Sequence, residues 1–538
     1  MTVQEVSAAA SGPAALREAG RRRTFAVISH PDAGKSTLTE ALALHARVIQ
    51  EAGAIHGKAG RKATVSDWMD MEKARGISIS SAALQFGYGG TVVNLVDTPG
   101  HADFSEDTYR VLAAVDCAVM LLDAAKGLEP QTMKLFDVCR HRGIPVITVV
   151  NKWDRPGLEA LQLMDEIRDR TGLEPTPLTW PVGIAGEFRG VIERSSGDFI
   201  RFTRTAGGAT VAPEERIAPE RAAAEVGEAW ATAVEESELL EAMGQVHDEE
   251  SFLAGASTPV LFGSAVLNFG VRQLLDVLLA LAPAPGPRVD AKGQPRPLDA
   301  PFSAFVFKIQ AGMDSNHRDR LAYVRVCSGV FERGSVVTHA STGKPFATKY
   351  AQQVFGRDRE TIDLAYPGDV VGLVNANALR VGDSLYVSDP VTYPAIPSFA
   401  PEHFAVCRAE DSGRYKQFRR GIEQLEQEGT VQVLRSDARG DQAPVLAAVG
   451  PMQFEVAQHR MAGEFSAPVR LDRLPYSLAR LTDRDGARSL TGQSGVEVFE
   501  RGDGALLALF ADKWRLSRVQ RDLPDTHLEP LVAASPTG

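Results

Sequence analysis

Phe25-Ala26-Val27-Ile28-Ser29-His30-Pro31-Asp32-Ala33-Gly34-Lys35-Ser36 joins an apolar, strand-like run to a Gly-Lys-Ser turn, and its reading decides the fold of the chain. A buried strand ends here in a turn that opens a helix, from Ser36 to about Leu44. Such a turn presents backbone N–H groups to an anion, and the helix N-terminus adds partial positive charge. Lys35 can reach β and γ phosphoryl oxygens from this position, and Ser36 supplies a hydroxyl to Mg²⁺, an ion of hard oxygen ligands. Ser29 stands where the pattern G-x-x-x-x-G-K-[ST] has its first glycine. On this stretch alone, an incidental Gly-Lys-Ser at a helix start remains the alternative.

Three further segments follow apolar strands in order. Asp97-Thr98-Pro99-Gly100-His101 comes after Thr91 to Val96. An acidic residue at a strand end beside a phosphate loop holds Mg²⁺, directly or through water. Gly100 leaves its N–H open to a γ phosphate, and His101, with a near-neutral pKa, stands where a residue would orient water. Asn151-Lys152-Trp153-Asp154 follows Val146 to Val150. Its carboxylate can accept two parallel hydrogen bonds from the N1–H and exocyclic amine of guanine, and it repels the acceptor N1 of adenine. Gly263-Ser264-Ala265 follows Val260 to Phe262 and would bring backbone N–H groups to the guanine O6. For each segment the plainer alternative is a polar turn after a buried strand.

With Arg75-Gly76-Ile77-Ser78-Ile79 between the first two, these segments resemble the guanine-nucleotide domain of the translational GTPases. The resemblance makes 75–79 the first switch, with Ser78 a Mg²⁺ ligand only while the γ phosphate is present. It gives Asp32 as an acidic position that could hold a monovalent cation. A solvent-facing strand residue is the alternative for Ser78.

The chain has 538 residues, 44% of them hydrophobic, which suffices for several cores. Its net charge of −11 argues against a general nucleic-acid coat but leaves room for local basic patches. Arg414, Lys416, Arg419 and Arg420 form one such cluster, and Lys513, Arg515, Arg518 and Arg521 beside Trp514 form another; each is a candidate RNA contact or a solvated helix face. Arg21-Arg22-Arg23 reads as a basic flank, solvated or touching RNA. Cys117, Cys139, Cys327 and Cys407 show no metal-like spacing and read as buried thiols in a reducing cytosol. No apolar run approaches the length of a membrane span, and no signal peptide is visible.

Alternating strand and helix patterns from Thr24 to Ala282 predict an α/β fold with a parallel-type sheet, and the four motifs beginning at Ser29, Asp97, Asn151 and Gly263 fall at strand ends of that sheet. Residues 1–22 read as a flexible extension and 23–285 as a GTP-binding domain. An insertion at about 175–255 contains strands at Gly190–Ile192 and Phe199–Phe202 and an acidic helical run from Glu220 to Met243. A Pro/Gly-rich linker precedes period-two strands over 300–390, an all-β barrel. Residues 400–530 follow the order β-α-β-β-α-β, a C-terminal α+β ferredoxin-like domain, with a hairpin near Gly502 and a short helix at Trp514.

The phosphate loop Ser-His-Pro-Asp-Ala-Gly-Lys, the segment Tyr415 to Gly429 and the segment Ala448 to Val456 together resemble the bacterial class II peptide-chain release factors (release factor three), across nearly the whole chain from about Arg23. The departures are Trp153 inside the guanine motif and Ser36 where Thr is common. The resemblance implies a ribosome-dependent GTPase that promotes dissociation and recycling of class I release factors after peptide release. It implies GTP or GDP bound by Ser29, His30, Pro31, Asp32, Ala33, Gly34, Lys35, Ser36, Asp97, Thr98, Pro99, Gly100, His101, Asn151, Lys152, Asp154, Ser264 and Ala265. Mg²⁺ would be held by Ser36, Ser78 and Asp97, with His101 catalytic. The implied partners are the ribosome, including its RNA, and class I release factors; a cytoplasmic monomer is expected. An elongation-type factor, a regulatory GTPase of a metabolic enzyme and a GTP-dependent scaffold stand as alternatives.

Overall fold

The computed structural model describes residues 3–48, 83–99, 101–205, 210–311, 320–355, 358–374, 376, 378–396, 399–436 and 443–531. Ser78, with the rest of 75–79, and Gly100 lie outside the described residues.

The opening segment corrects an expectation. Instead of a flexible extension, α1 (Val3–Gly20) is a helix. Its alanine-rich sequence has high helix propensity, and Ala15 and Ala19 are buried. Arg22 is not a solvated flank either. It is buried, 2.8 Å from Asp369 and 2.8 Å from Glu18.

The nucleotide-binding part is built on β1 (Arg22–Ser29), β2 (Ala83–Tyr88), β3 (Thr91–Asp97), β4 (Cys117–Asp123), β5 (Val146–Asn151), β6 (Glu174–Pro177) and β11 (Ser257–Phe262), in the order β2-β3-β1-β4-β5-β11-β6. All pairs are parallel except β2 with β3. Helices α2 (Lys35–His45), α3 (Ser105–Leu112), α4 (Pro130–His141), α5 (Ala160–Thr171) and α9 (Val271–Leu281) cover it. The period of two along β1 divides the core. Phe25 and Val27 pack with Leu38 and Leu42 of α2 and Leu274, Leu275 and Leu278 of α9. Ala26 and Ile28 pack with Leu112, Leu135, Phe136, Leu163 and Ile167 on the other face. The middle of β1, Phe25 to Ile28, is buried on both sides and reads as a continuous apolar run.

Between β6 and β11 lies an inserted sheet of β7 (Thr179–Val182), β8 (Gly190–Glu193), β9 (Phe199–Phe202) and β10 (Glu214–Ile217), with α6 (Pro219–Val226), α7 (Glu228–Ala242) and α8 (Glu249–Leu253). The acidic run expected as one helical stretch is two helices. Gly227, at φ +67°, ends α6 in a conformation that a side chain rarely adopts.

The all-β part is an eight-stranded antiparallel sheet centred on Ser303–Ala311 and Arg320–Ser328. Two buried polar clusters tie it to the nucleotide-binding part. Asp116 meets Arg325 at 2.5 Å and Arg288 at 3.2 Å. Asp369 accepts from Gln85 at 2.8 Å and pairs with Arg22. Breaking either cluster would strand a charge in the interface, at a cost of about 3–5 kcal/mol.

In the C-terminal part, His403–Ala409, α10 (Tyr415–Glu428), Gln432–Arg435, Val445–Ala448, α11 (Pro451–Gly463) and Val469–Arg473 form the β-α-β-β-α-β unit, with its four strands antiparallel in the order fourth, first, third, second. Phe418, Ile422 and Leu425 of α10 pack with Phe454, Ala457 and Met461 of α11. The hairpin Val496–Arg501 and Leu506–Phe510 extends the same sheet beyond Gln432–Arg435. Helices α12 (Arg484–Leu490) and α13 (Lys513–Asp522) cover that extension. All four cysteines are buried free thiols. Among the described residues no helix is long and apolar enough to cross a membrane.

Candidate nucleotide site

The loops after β1, β3, β5 and β11 meet at the C-terminal edge of the parallel sheet, where ligands bind in open α/β folds. Gly34 caps α2 at φ +100°, and a Cβ there would lie 2.5 Å from Asn151 Nδ2. Both backbone and space therefore demand glycine. Ser29 is buried at the end of β1, its Oγ donating to the carbonyl of His30 at 3.0 Å, so a small side chain suffices at that corner. His30 is buried with Nε2 3.0 Å from a Glu129 carboxylate oxygen; burial pushes its pKa down. Pro31 and Asp32 lead around the turn, Asp32 exposed and left-handed at φ +66°.

Asn151 is the staple of the site. Its Nδ2 donates to the Ala33 carbonyl at 2.8 Å, and its Oδ1 accepts from the Ala265 N–H at 2.8 Å. One amide thereby holds the phosphate loop and the Ser264-Ala265 loop together. Lys152 donates to the Asp32 carbonyl and, at 2.8 Å, to Asp123 Oδ2. Burial pushes the pKa of Asp123 up, but the hydrogen bonds from Lys152 and the Ala125 N–H, together with the Lys152 charge, hold the carboxyl below its ordinary range. Trp153 is an anchor. Its ring lies edge-on to Phe262 at 4.9 Å, and its Nε1 donates to the Gly183 carbonyl at 3.1 Å. Asp154 follows with Oδ1 buried and without a hydrogen-bond partner among the described residues. Buried Ser264 Oγ is likewise unpartnered among them. An orphaned carboxylate oxygen beside two stapled loops suits a donor-rich edge such as that of guanine.

At the phosphate end, Lys35 Nζ donates to Asp97 Oδ1 at 2.7 Å, and both side chains are buried. Ser36 is half-buried in the first turn of α2. The Ser36 hydroxyl, in the helix that follows β1, and the Asp97 carboxylate, at the end of the adjacent strand β3, form a donor set of hard oxygens, which fits Mg²⁺. Thr98 donates to the Val27 carbonyl at 2.6 Å and locks β3 to β1, and Pro99 is buried behind it.

His101 and Asp103 form a pair at 3.3 Å, and the Asp103 hydrogen bond pushes the His101 pKa up. Asp103 Oδ2 also accepts the backbone N–H of Met452 at 2.6 Å, from the first turn of α11. Gly450 approaches so closely that a Cβ would overlap the Asp103 carboxyl group. Phe104 packs with Val456 and Met452, and Arg110 reaches the Glu428 carbonyl at 3.3 Å. The C-terminal part thus rests directly on the segment that carries His101.

Asp103, Asp123, Glu129 and Gly450 are not found by reading the sequence. Asp123 carries a signal, an acidic residue ending the apolar run Cys117 to Leu122. Asp103 and Gly450, about 350 residues apart, carry none.

Residues 20–284 match the family described as Elongation factor Tu GTP binding domain, 301–388 match Elongation factor G domain 2, and 393–520 match Class II release factor RF3, C-terminal domain. The chain is 47% identical to peptide chain release factor 3 of Symbiobacterium thermophilum, over 94% of this chain and 96% of that protein. It belongs to the peptide chain release factor 3 family. Family members from Gloeobacter violaceus and Synechocystis are each 46% identical over 96% of this chain and cover 98% and 96% of those proteins. A solved structure from Thermus thermophilus shares the fold at a TM-score of 0.68 and 21% identity, covering 90% of this chain and 72% of that one. This release factor 3 family member is a GTPase of translation termination.

Proposed function

We propose that this protein uses ribosome-stimulated GTP hydrolysis to drive class I release factors off the ribosome after peptide release, and so recycles them. One observation carries the reading: the C-terminal part, which matches a domain of class II release factors, is hydrogen-bonded through Met452 to Asp103, the partner of His101. A change of nucleotide at the sheet edge is then felt by the domain peculiar to termination. That domain also disfavours a regulatory GTPase of a metabolic enzyme.

In this reading the backbone of 29–36 and Lys35 hold the phosphates, while Asp154, Asn151, Lys152 and the Ser264-Ala265 loop hold guanine. Ser36, Asp97 and Ser78 would hold Mg²⁺, which supplies charge neutralisation at the β and γ phosphoryl oxygens when bound. Lys35, now on Asp97, turns to the phosphates on nucleotide binding. Gly100 meets the γ phosphate through its N–H. His101 orients the attacking water in line, and its Asp103 partner fixes which ring nitrogen is available to do so. None of the motifs supplies an arginine finger, so turnover by the isolated protein is slow and ribosomal contact accelerates it by orders of magnitude. The protein acts as a monomer in the cytoplasm.

The test is His101→Ala. Nucleotide affinity should be retained while turnover stimulated by ribosomes is lost; undiminished stimulated turnover would remove His101 from the mechanism.

A further inference from the structure

Helix α13 carries Trp514, Arg518 and Arg521 at i, i+4 and i+7, which places them on one face. Leu516 and Val519 point the other way and are buried with Leu490, Ala508 and Phe510. Trp514 is 86% exposed, more than any other large apolar side chain among the described residues. Arg518 and Arg521 are exposed and, among the described residues, share one counter-ion, Asp522, at 3.3 Å each. Packing does not account for this face, because the helix is already seated by its opposite side. An indole in water forgoes the burial that makes aromatic residues useful in a core.

We propose that the Trp514-Arg518-Arg521 face binds a single-stranded loop of RNA, the indole stacking on a base and the guanidiniums meeting the adjoining phosphates. Charge supports this occupant. Lys513, Arg515, Arg518 and Arg521 outnumber Asp522 on a helix of a chain whose net charge is −11, so the patch is a local exception. Shape supports it too. Lys513, Ser517 and Gln520 of the same helix are also exposed, so among the described residues an amphipathic peptide would find one aromatic anchor on this helix. A base offers a flat π-face for that one ring, and stacking with arginine alongside is how single strands are held without sequence readout. Ribosomal RNA is the source at hand for a member of this family, and the inference does not depend on which release factor is displaced.

The probe is a fluorescein-labelled, unstructured RNA of about 12 nucleotides, within the usual span of a single-strand site, titrated with the full-length protein and followed by anisotropy over a range of salt. Trp514→Ala should weaken binding by about tenfold and Trp514→Tyr much less, since each stacked base contributes about 1–3 kcal/mol. Arg518→Gln with Arg521→Gln should lower the salt slope by about 1.4, at roughly 0.7 per phosphate contact on a single strand. All three side chains are solvent-facing, so thermal melting of the variants should match the parent and certify their folding. Three results would overturn the assignment: no RNA binding by the parent protein at low salt, equal affinity of the parent and Trp514→Ala, or competition by polyglutamate that disappears with Trp514→Ala while RNA binding does not. The last would mark the face as one for an acidic protein segment.

Discussion

Gly450→Ala isolates the contact between the termination domain and the segment bearing His101. At φ −141° and ψ 162° Gly450 has ordinary extended backbone, so alanine brings no conformational strain. Its methyl group would overlap Asp103 Cγ and both carboxylate oxygens. Either α11 retracts or the Asp103 side chain swings away, and in both cases the 2.6 Å bond from the Met452 N–H is lost. A hydrogen bond to a charged group contributes about 1.5–3 kcal/mol, and Asp103 is only 8% exposed, so water replaces it poorly. The docking of the two parts should weaken by about 2–3 kcal/mol, roughly 30- to 150-fold in the docking equilibrium. The assay is a double-mutant cycle with Asp103→Ala, read from the urea dependence of fluorescence transfer between dyes on α3 and α11. Asp103→Ala removes the obstructing atoms, so Gly450→Ala should cost almost nothing further in that background. Equal effects of Gly450→Ala with and without Asp103 would refute the reasoning.

Three other outcomes follow from the site. Asp154→Asn should weaken GTP by about 10- to 100-fold, through loss of a charged acceptor, and improve binding of xanthosine triphosphate; competition between the two nucleotides checks it. Asp103→Asn should lower the raised pKa of His101, measured by titrating its ring protons in NMR spectra. Because the folded value is raised, the stability the pair contributes is full below the ordinary histidine pKa of about 6.5 and is lost as pH rises through the folded value, so the pH-dependent part of the difference between parent and variant should vanish in alkali. Trp153→Ala, which empties a fully buried indole site against Phe262, should destabilise the nucleotide-binding part by about 3–5 kcal/mol in urea unfolding, with Trp153→Phe costing less.

The parts legible in the sequence are those written in short-range pattern. Phe25 to Ile28 of β1 is buried on both faces and reads as unbroken apolar residues; α10 shows Phe418, Ile422 and Leu425 at helical spacing; the motifs beginning at Ser29, Asp97, Asn151 and Gly263 each sit at the end of a strand. Trp153, a departure within the guanine motif, is the residue that pins it to the inserted subdomain. What is not legible depends on partners far along the chain. Arg22 resembles a solvated flank because Asp369 is nowhere near it in sequence, and the Asp116-Arg325 pair spans 209 residues. Helix α1 goes unseen because an alanine-rich stretch lacks the amphipathic period that marks a packed helix, although Ala15 and Ala19 are its buried side. The sheet partner of the hairpin near Gly502 goes unread because strand pairing with Gln432–Arg435 leaves no local signature.

The most direct test of the termination role loads ribosomes paused at a stop codon, after peptide release, with a fluorescent class I release factor and follows its departure on adding this protein. The account predicts that GTP with the protein accelerates departure many-fold over GDP with the protein, alongside stimulated phosphate release. Stimulated GTP turnover with no change in the departure rate of the class I factor would contradict it.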